Sequence, residues 1–317
     1  EIKTKITYIN KYIQDLYIFS TYTESIQFVT KLIEVLLSNT ELMNLKIHLP
    51  NKKIPNITDN MLNALNKNNT QFSILPSPLI YSETEKYPNI RALINISETS
   101  FYMIYNSKKF GTKKLKLKDF VLNETTIFGT TEAHTLSYKM TNLFLKNFTK
   151  DIPHYEILTK SFDDLIDDLM NDDLNIVTFL DSNPSKKLQN IINNDSDNKI
   201  YIQELDLDIF DINERYDYIY NVIYIKYEYP SVLYPNNKYK TLSFNNTLIT
   251  NNHIPDKIVI IILKFILEHK NFMNKALKGY NISDLNELLP LYSFIPHRAT
   301  HKLFNNLRPL YPIYNNM

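Results

Sequence analysis

The stretch from Asn175 to Ile192, NIVTFLDSNPSKKLQNII, carries the pattern on which the fold turns. Its apolar run ends abruptly at the polar group Asp181, Ser182 and Asn183, and Pro184 opens a second segment whose apolar residues are spaced periodically. A short apolar run bounded by turn residues reads as a buried strand, and the periodic segment after it as a helix. A strand feeding a helix through a short polar loop is the building unit of parallel α/β sheets.

The same unit recurs on both sides. Near the start, LYIFS reads as a strand and SIQFVTKLIEVLL as a helix, with Ile26, Val29, Leu32, Ile33 and Leu36 on one face. LKIHLP, ITDNMLNALNKNN and QFSILPS then give strand, helix and strand. Residues 91–106 read as extended. The rhythm restarts with TTIF as strand, GTTEAHT as turn and Leu136 to Leu145 as helix, followed by the strand HYEIL and the helix SFDDLIDDLMNDD. After Asp206 a Tyr-rich extended region leads to the strand TLSFNNTLITN and to closing helices that include DKIVIIILKFILEHKNFMNKAL and HRATHKLFNNL. Two similar α/β units with no tandem repeat or low-complexity linker indicate two lobes.

Composition bounds the function. The 317 residues include 23 Tyr and 17 Phe, enough apolar surface to build a sizeable core. Lys plus Arg number 35 against 34 Asp plus Glu, with no long basic run, so the electrostatic footprint of nucleic-acid binding is missing and no nucleic-acid partner is expected. The absence of cysteine excludes disulfides, thiol catalysis and thiolate metal sites. The most apolar run, Ile258 to Leu267, is far shorter than the roughly 20 residues a bilayer needs and reads as a buried helix, so no transmembrane segment is expected in this chain. The chain opens on Glu1 rather than Met, which fits removal of an N-terminal segment and an extracytoplasmic or membrane-associated location; an intracellular or virion-associated one is the alternative. Only Gly111, Gly129 and Gly279 are present, so turns should rely on Asn or Asp at positive φ.

In parallel α/β sheets ligands bind outside the carboxyl ends of the strands, where helix amides point. Four loops fall there: Ser20 to Ser25, Pro76 to Pro78, Gly129 to Thr135 and Asp181 to Pro184. All are rich in small hydroxyl or amide groups, and Ser20, Thr21, Tyr22, Thr23, Ser77, Thr130, Thr131, Thr135, Ser182 and Asn183 are the expected ligand-binding residues. The alternative for each loop is an ordinary N-cap that satisfies a helix end.

Enzyme constellations are not evident. His297 and His301 in HRATH stand four apart without the Glu of a metalloprotease helix, and capping at a helix start explains the first of them. The acidic run Asp163, Asp164, Asp167, Asp168, Asp172 and Asp173 alternates with Phe162, Leu165 and Leu169 as the solvated face of a helix and lacks the glycine and terminal Glu of a calcium loop. No nucleophile elbow, P-loop or dinucleotide fingerprint occurs, so no catalytic residue, metal or cofactor is expected.

Taken in order, these phrases resemble the substrate-binding proteins of TRAP transporters of the TAXI type. IFSTYTESIQFVTKLIEVL is similar to that family's first strand, ligand loop and helix, and NIRALINISETSFYMIY to the segment that carries a Glu, here Glu98, before the first crossover strand. LKLKDFVLNETTIFGTTEAHTLSYKMTNLFL and LYSFIPHRATHKLFNNL resemble its second ligand loop and terminal helix start. The departures fall in the loops: Ser20, Thr21 and Thr23 stand where the family has glycine, Pro76 and Pro78 where it has a polar pair, and Arg298 where it has proline.

The resemblance implies a bilobed type II periplasmic-binding-protein-like α/β fold, with residues 1–105 and 243–317 in one lobe and 106–242 in the other, joined by crossover strands. It adds Glu98 to the ligand-binding residues and implies capture of a small organic anion, of the amino-acid or dicarboxylate class, with a membrane permease or another protein as partner. The alternative is a degenerate binding-protein scaffold serving as a structural or protein-interaction module, to which the loss of loop glycines points.

Overall fold

A computed structural model describes residues 16–19, 45–48, 57–67, 69–77, 86–110, 126–131, 135–148, 155–181, 185–195, 197, 199–205, 221–226, 238–269, 271 and 295–305. In chain order the elements are β1 (Leu16–Phe19), β2 (Leu45–His48), α1 (Ile57–Asn66), β3 (Phe72–Pro76), β4 (Ile90–Asn106), the single turn α2 (Ser107–Phe110), β5 (Thr126–Thr131) and α3 (Leu136–Phe148). They continue with β6 (Tyr155–Lys160), α4 (Phe162–Met170), β7 (Ile176–Asp181), α5 (Lys186–Asn194), β8 (Ile200–Ile202), β9 (Asn221–Lys226), β10 (Lys238–Asn251), α6 (Asp256–Glu268) and α7 (Arg298–Asn305). The helix expected over Ile26 to Leu36 and the segments after Glu268 and before Ile295 lie outside the described residues, apart from His269 and Asn271.

Two compact units divide the chain: Glu1–Glu98 with Asn245–Met317, and Thr99–Phe244. The chain therefore leaves one unit for the other inside β4 and inside β10, at Glu98 to Thr99 and at Phe244 to Asn245.

In the first unit the strand order is β2, β1, β3, β10, β4. β1 is parallel to β2 and β3, and β10 is antiparallel to β3, with Leu75 opposite Thr247. Every residue of β3 is buried, as expected for a strand covered on both faces. Helix α1 turns Met61, Leu62 and Leu65 against Leu75, Tyr87 and Ile249, the one-sided spacing that 3.6 residues per turn produces. Its carbonyl end is closed by Asn251, whose amide donates to the carbonyls of Leu65 at 2.8 Å and Asn66 at 3.0 Å. The apolar run read as a buried helix is α6, with Ile258, Val259, Ile262, Leu263, Phe265 and Ile266 buried.

In the second unit β5 is parallel to both β6 and β7, and β7 is antiparallel to β4, with Ser100 opposite Asp181. β8 pairs with the end of β4, and β9 with the first half of β10. Helix α4 starts at Ser161, whose hydroxyl accepts from the amide of Asp164, and buries Leu165 and Leu169 while Asp163, Asp164 and Asp167 face solvent. That is the solvated acidic face read from the sequence. Asp172 follows at φ 66°, the left-handed position glycine usually fills after a helix and the one non-glycine case among the described residues. Tyr102, Leu165, Leu169, Leu174, Val177, Phe179 and Leu188 form the core of this unit, with Tyr102 stacked on Phe179 at 5.2 Å.

Side-chain hydrogen bonds line the run of β10 beside β4. In the first unit Asn246 donates to Ser97 Oγ at 2.9 Å and Thr247 to Asn95 Oδ1 at 2.8 Å. In the second, Ser243 and Thr241 donate to the carbonyls of Thr99 and Phe101. These polar groups are buried, so such bonds are needed to offset their desolvation. Among the described residues no helix is long and apolar enough to cross a membrane.

Candidate ligand-binding site

The strands β5 and β7 are neighbours and parallel, so the helices that follow them, α3 and α5, both begin at the same edge of the second unit. At the first of these junctions Thr135 is the N-cap: its hydroxyl accepts from the amide of Tyr138 at 3.2 Å and is 2.7 Å from the hydroxyl of Thr131. At the second position of α3 Ser137 holds the adjacent strand, its Oγ accepting from the amide of Leu180 at 3.3 Å.

The second junction contains Asp181, buried at the end of β7. Ser185 is the N-cap of α5; its hydroxyl accepts from the amide of Leu188 at 3.0 Å and donates to Asp181 Oδ2 at 2.6 Å. Both ends present first-turn amides, and each helix start carries roughly half a positive charge, so this edge is electrostatically suited to a negative group. The carboxylate of Asp181 offsets part of that field and turns one oxygen onto Ser185.

The expected residues divide on this geometry. Thr131 and Thr135 come together, both half-buried. Thr130 is fully buried, its hydroxyl 3.2 Å from Thr141 Oγ1, which is in turn 2.8 Å from Thr178 Oγ1. The hydroxyl of Thr130 is therefore engaged between β5, α3 and β7. Ser77, also buried, donates to the carbonyl of Asn245 at 3.1 Å. Glu98 is half-buried within β4, in the first unit. Ser20, Thr21, Tyr22, Thr23, Ser182 and Asn183 lie outside the described residues.

One reading is corrected. Gly129 to Thr131 belong to β5 rather than to the turn, and Gly129 faces the core: a Cβ there would meet Leu174 Cδ1 at 2.7 Å and Leu165 Cδ2 at 2.8 Å. Its lack of a side chain serves packing of α4 on the sheet. Helix α5 opens after its N-cap Ser185, in the segment read as helical; Pro184 lies outside the described residues. Asp181, Ser137 and Ser185 were missed as site residues; for Ser185 the signal was present, a serine three residues before Leu188 at a helix start.

Solved structures with this layout share little sequence with it. PhnD1 from Prochlorococcus marinus in complex with methylphosphonate is 10% identical, covers 93% of this chain and 98% of its own, and superposes with a TM-score of 0.52. A binding protein component of an ABC phosphonate transporter from Pseudomonas aeruginosa is 12% identical over 95% of this chain and 89% of its own, with a TM-score of 0.51. At these identities the likeness is one of fold: a mixed α/β chain of two units, laid out as in these binding proteins. No curated protein matches the chain in sequence. The NMT1-like family matches residues 62–306, most of the chain, and the protein belongs to that family.

Proposed function

We propose that this chain is a solute-binding protein that captures a small organic anion, of the amino-acid or dicarboxylate class, and performs no chemistry on it. The observation that carries the reading is the shared edge of β5 and β7, where α3 and α5 both begin beside the hydroxyls of Thr131, Thr135, Ser137 and Ser185. Helix amides and hydroxyls bind an anion without acid, base or nucleophile. Membership of the NMT1-like family supports this, as does the fold shared with a protein solved with methylphosphonate, itself a small anion.

Within this reading the protein is a divergent receptor of the TAXI type, works outside the cytoplasm and delivers its solute to a membrane permease. Its functional lobes are residues 1–105 with 243–317 and residues 106–242. Ser20, Thr21, Tyr22, Thr23, Ser77, Glu98, Ser182 and Asn183 complete the ligand contacts. The test is a thermal-shift series with amino acids, dicarboxylates and phosphonates. A ligand at 100 times its dissociation constant adds about 2.7 kcal/mol of stability.

One observation favours a second reading, a binding-protein scaffold kept for protein interaction. Ser77 and Thr130, two of the hydroxyls assigned to a ligand, are buried and bonded within their own units. A chain that gave no response to any small anion and co-purified with one defined protein would support that alternative.

A further inference from the structure

We propose that His297 is an acid-operated latch that fastens α7, and the segment leading into it, to β4 and to the start of α6. The ring is buried, 2% exposed, and both its nitrogens are engaged. Nδ1 accepts from the amide of Ala299 at 3.1 Å, so it carries no proton. The proton therefore sits on Nε2, which faces the carbonyl of Ile254 at 3.1 Å as a donor. The backbone makes the rest of the fastening. His297 N donates to the carbonyl of Ala92 at 2.9 Å, Ala92 N to the carbonyl of Ile295 at 3.2 Å, and Pro296 lies parallel to Ala92 as a one-residue extension of the sheet. One neutral imidazole thus caps α7, ties it to the turn before α6 and sits on the β4 contact.

A second proton has only Nδ1 to go to, and there it would point at the amide hydrogen of Ala299. The cap bond becomes a clash of two donors in a site that excludes water. The charged groups around the ring act in both directions. Asp256 at the start of α6 favours the protonated form, whereas Arg298 on α7 and Arg91 on β4 disfavour it. Burial is the largest influence and holds the imidazole below the ordinary histidine value. The ring is neutral in both the fastened and the released forms above about pH 6.5. As pH falls through that value the released form takes up the proton first, and fastening weakens until the buried ring protonates too.

Asp256 keeps the steps apart. Its carboxylate accepts from Arg298 Nε at 2.6 Å and Lys302 Nζ at 3.0 Å; burial alone would raise its pKa, but these partners hold it below the ordinary value. These ion pairs outlast the histidine bond, so acid releases the ring before it releases the salt bridges. The latch operates whatever the chain binds.

The test is hydrogen exchange of the amides of residues 297–305 in the full chain from about pH 7.5 to about pH 5.0, normalised to the intrinsic rate, with ring titration of His297 by proton NMR. The opening constant should be flat at the upper end and rise below about pH 6.5 by up to about tenfold per pH unit, and the ring should titrate below its ordinary value. His297→Asn retains a cap acceptor for Ala299 and should make the opening constant independent of pH. A flat profile in the natural chain, a ring that titrates at or above the ordinary value, or an unchanged slope in the variant would overturn the latch. The first two readouts decide the matter even if the variant does not fold.

Discussion

Ser185 and Asp181 share one proton bridge: the serine hydroxyl donates to Asp181 Oδ2 at 2.6 Å while its own oxygen caps the amide of Leu188 at 3.0 Å. A single side chain thereby closes α5 and supplies a donor to a buried carboxylate. Ser185→Ala removes both bonds at once. It should lower stability by about 0.5 to 2 kcal/mol, the range for loss of a cap, with the urea midpoint moving and the slope unchanged. Ser185→Thr, which keeps the hydroxyl, should recover most of the loss.

Gly129 is held by close packing rather than by a need for positive φ. Gly129→Ala sets a methyl against the side chains of Leu165 and Leu174 and should cost about 1 to 3 kcal/mol. Leu165→Ala alone opens a cavity in the core of the second unit and should cost about 2 to 5 kcal/mol. The two changes should couple, because the truncated leucine makes room for the new methyl; the double variant should lose less than the sum. Denaturant unfolding of the four proteins measures the difference.

Thr141 stands between Thr130 and Thr178 and itself donates to the carbonyl of Ser137 at 2.8 Å. Replacing it with valine keeps the shape and removes the hydroxyl that Thr130 and Thr178 both meet, while Thr178 keeps the carbonyl of Gly129 at 3.3 Å. The expected loss is about 1 to 3 kcal/mol, while Thr141→Ser should stay near the natural stability. An equal loss for serine would locate the cost in packing instead.

The α6 to α7 ion pairs set a second pH window, below that of His297. Because the Asp256 carboxyl lies below its ordinary value, its contribution is present above about pH 3.9 and is lost as pH falls below it. Arg298 and Lys302 are 76% and 64% exposed, so screening limits each pair to about 1 kcal/mol or less. Arg298→Ala should therefore lower stability slightly at low salt and almost not at all in high salt.

Much of the fold was legible because the periodicity of apolar residues does not depend on which of them is present. Ile176 to Leu180 read as a buried strand, and the spacing of Phe162, Leu165 and Leu169 as a one-sided helix, and both are so in the structure. The site was less legible for a geometric reason. Thr130 and Thr131 look alike in sequence, but neighbours in a strand point to opposite faces: one is buried on Thr141, the other meets Thr135 at the helix start. Loop composition also concealed the strand register. Gly129, Thr130 and Thr131 read as turn residues, yet each pairs with β6, opposite Leu158, Thr159 and Lys160. Buried asparagines were equally hidden: Asn251 belongs to an Asn-rich background in sequence but closes α1 in the structure.

Anion capture at the α3 and α5 helix starts is tested by isothermal titration of the full chain with the small anion that gives the largest thermal shift, repeated on Thr135→Ala. Saturable one-to-one binding is expected, weakened by the substitution by roughly 0.5 to 2 kcal/mol for one lost hydrogen bond. Heats no larger than dilution for every amino acid, dicarboxylate and phosphonate, from a chain shown to be folded, would contradict it.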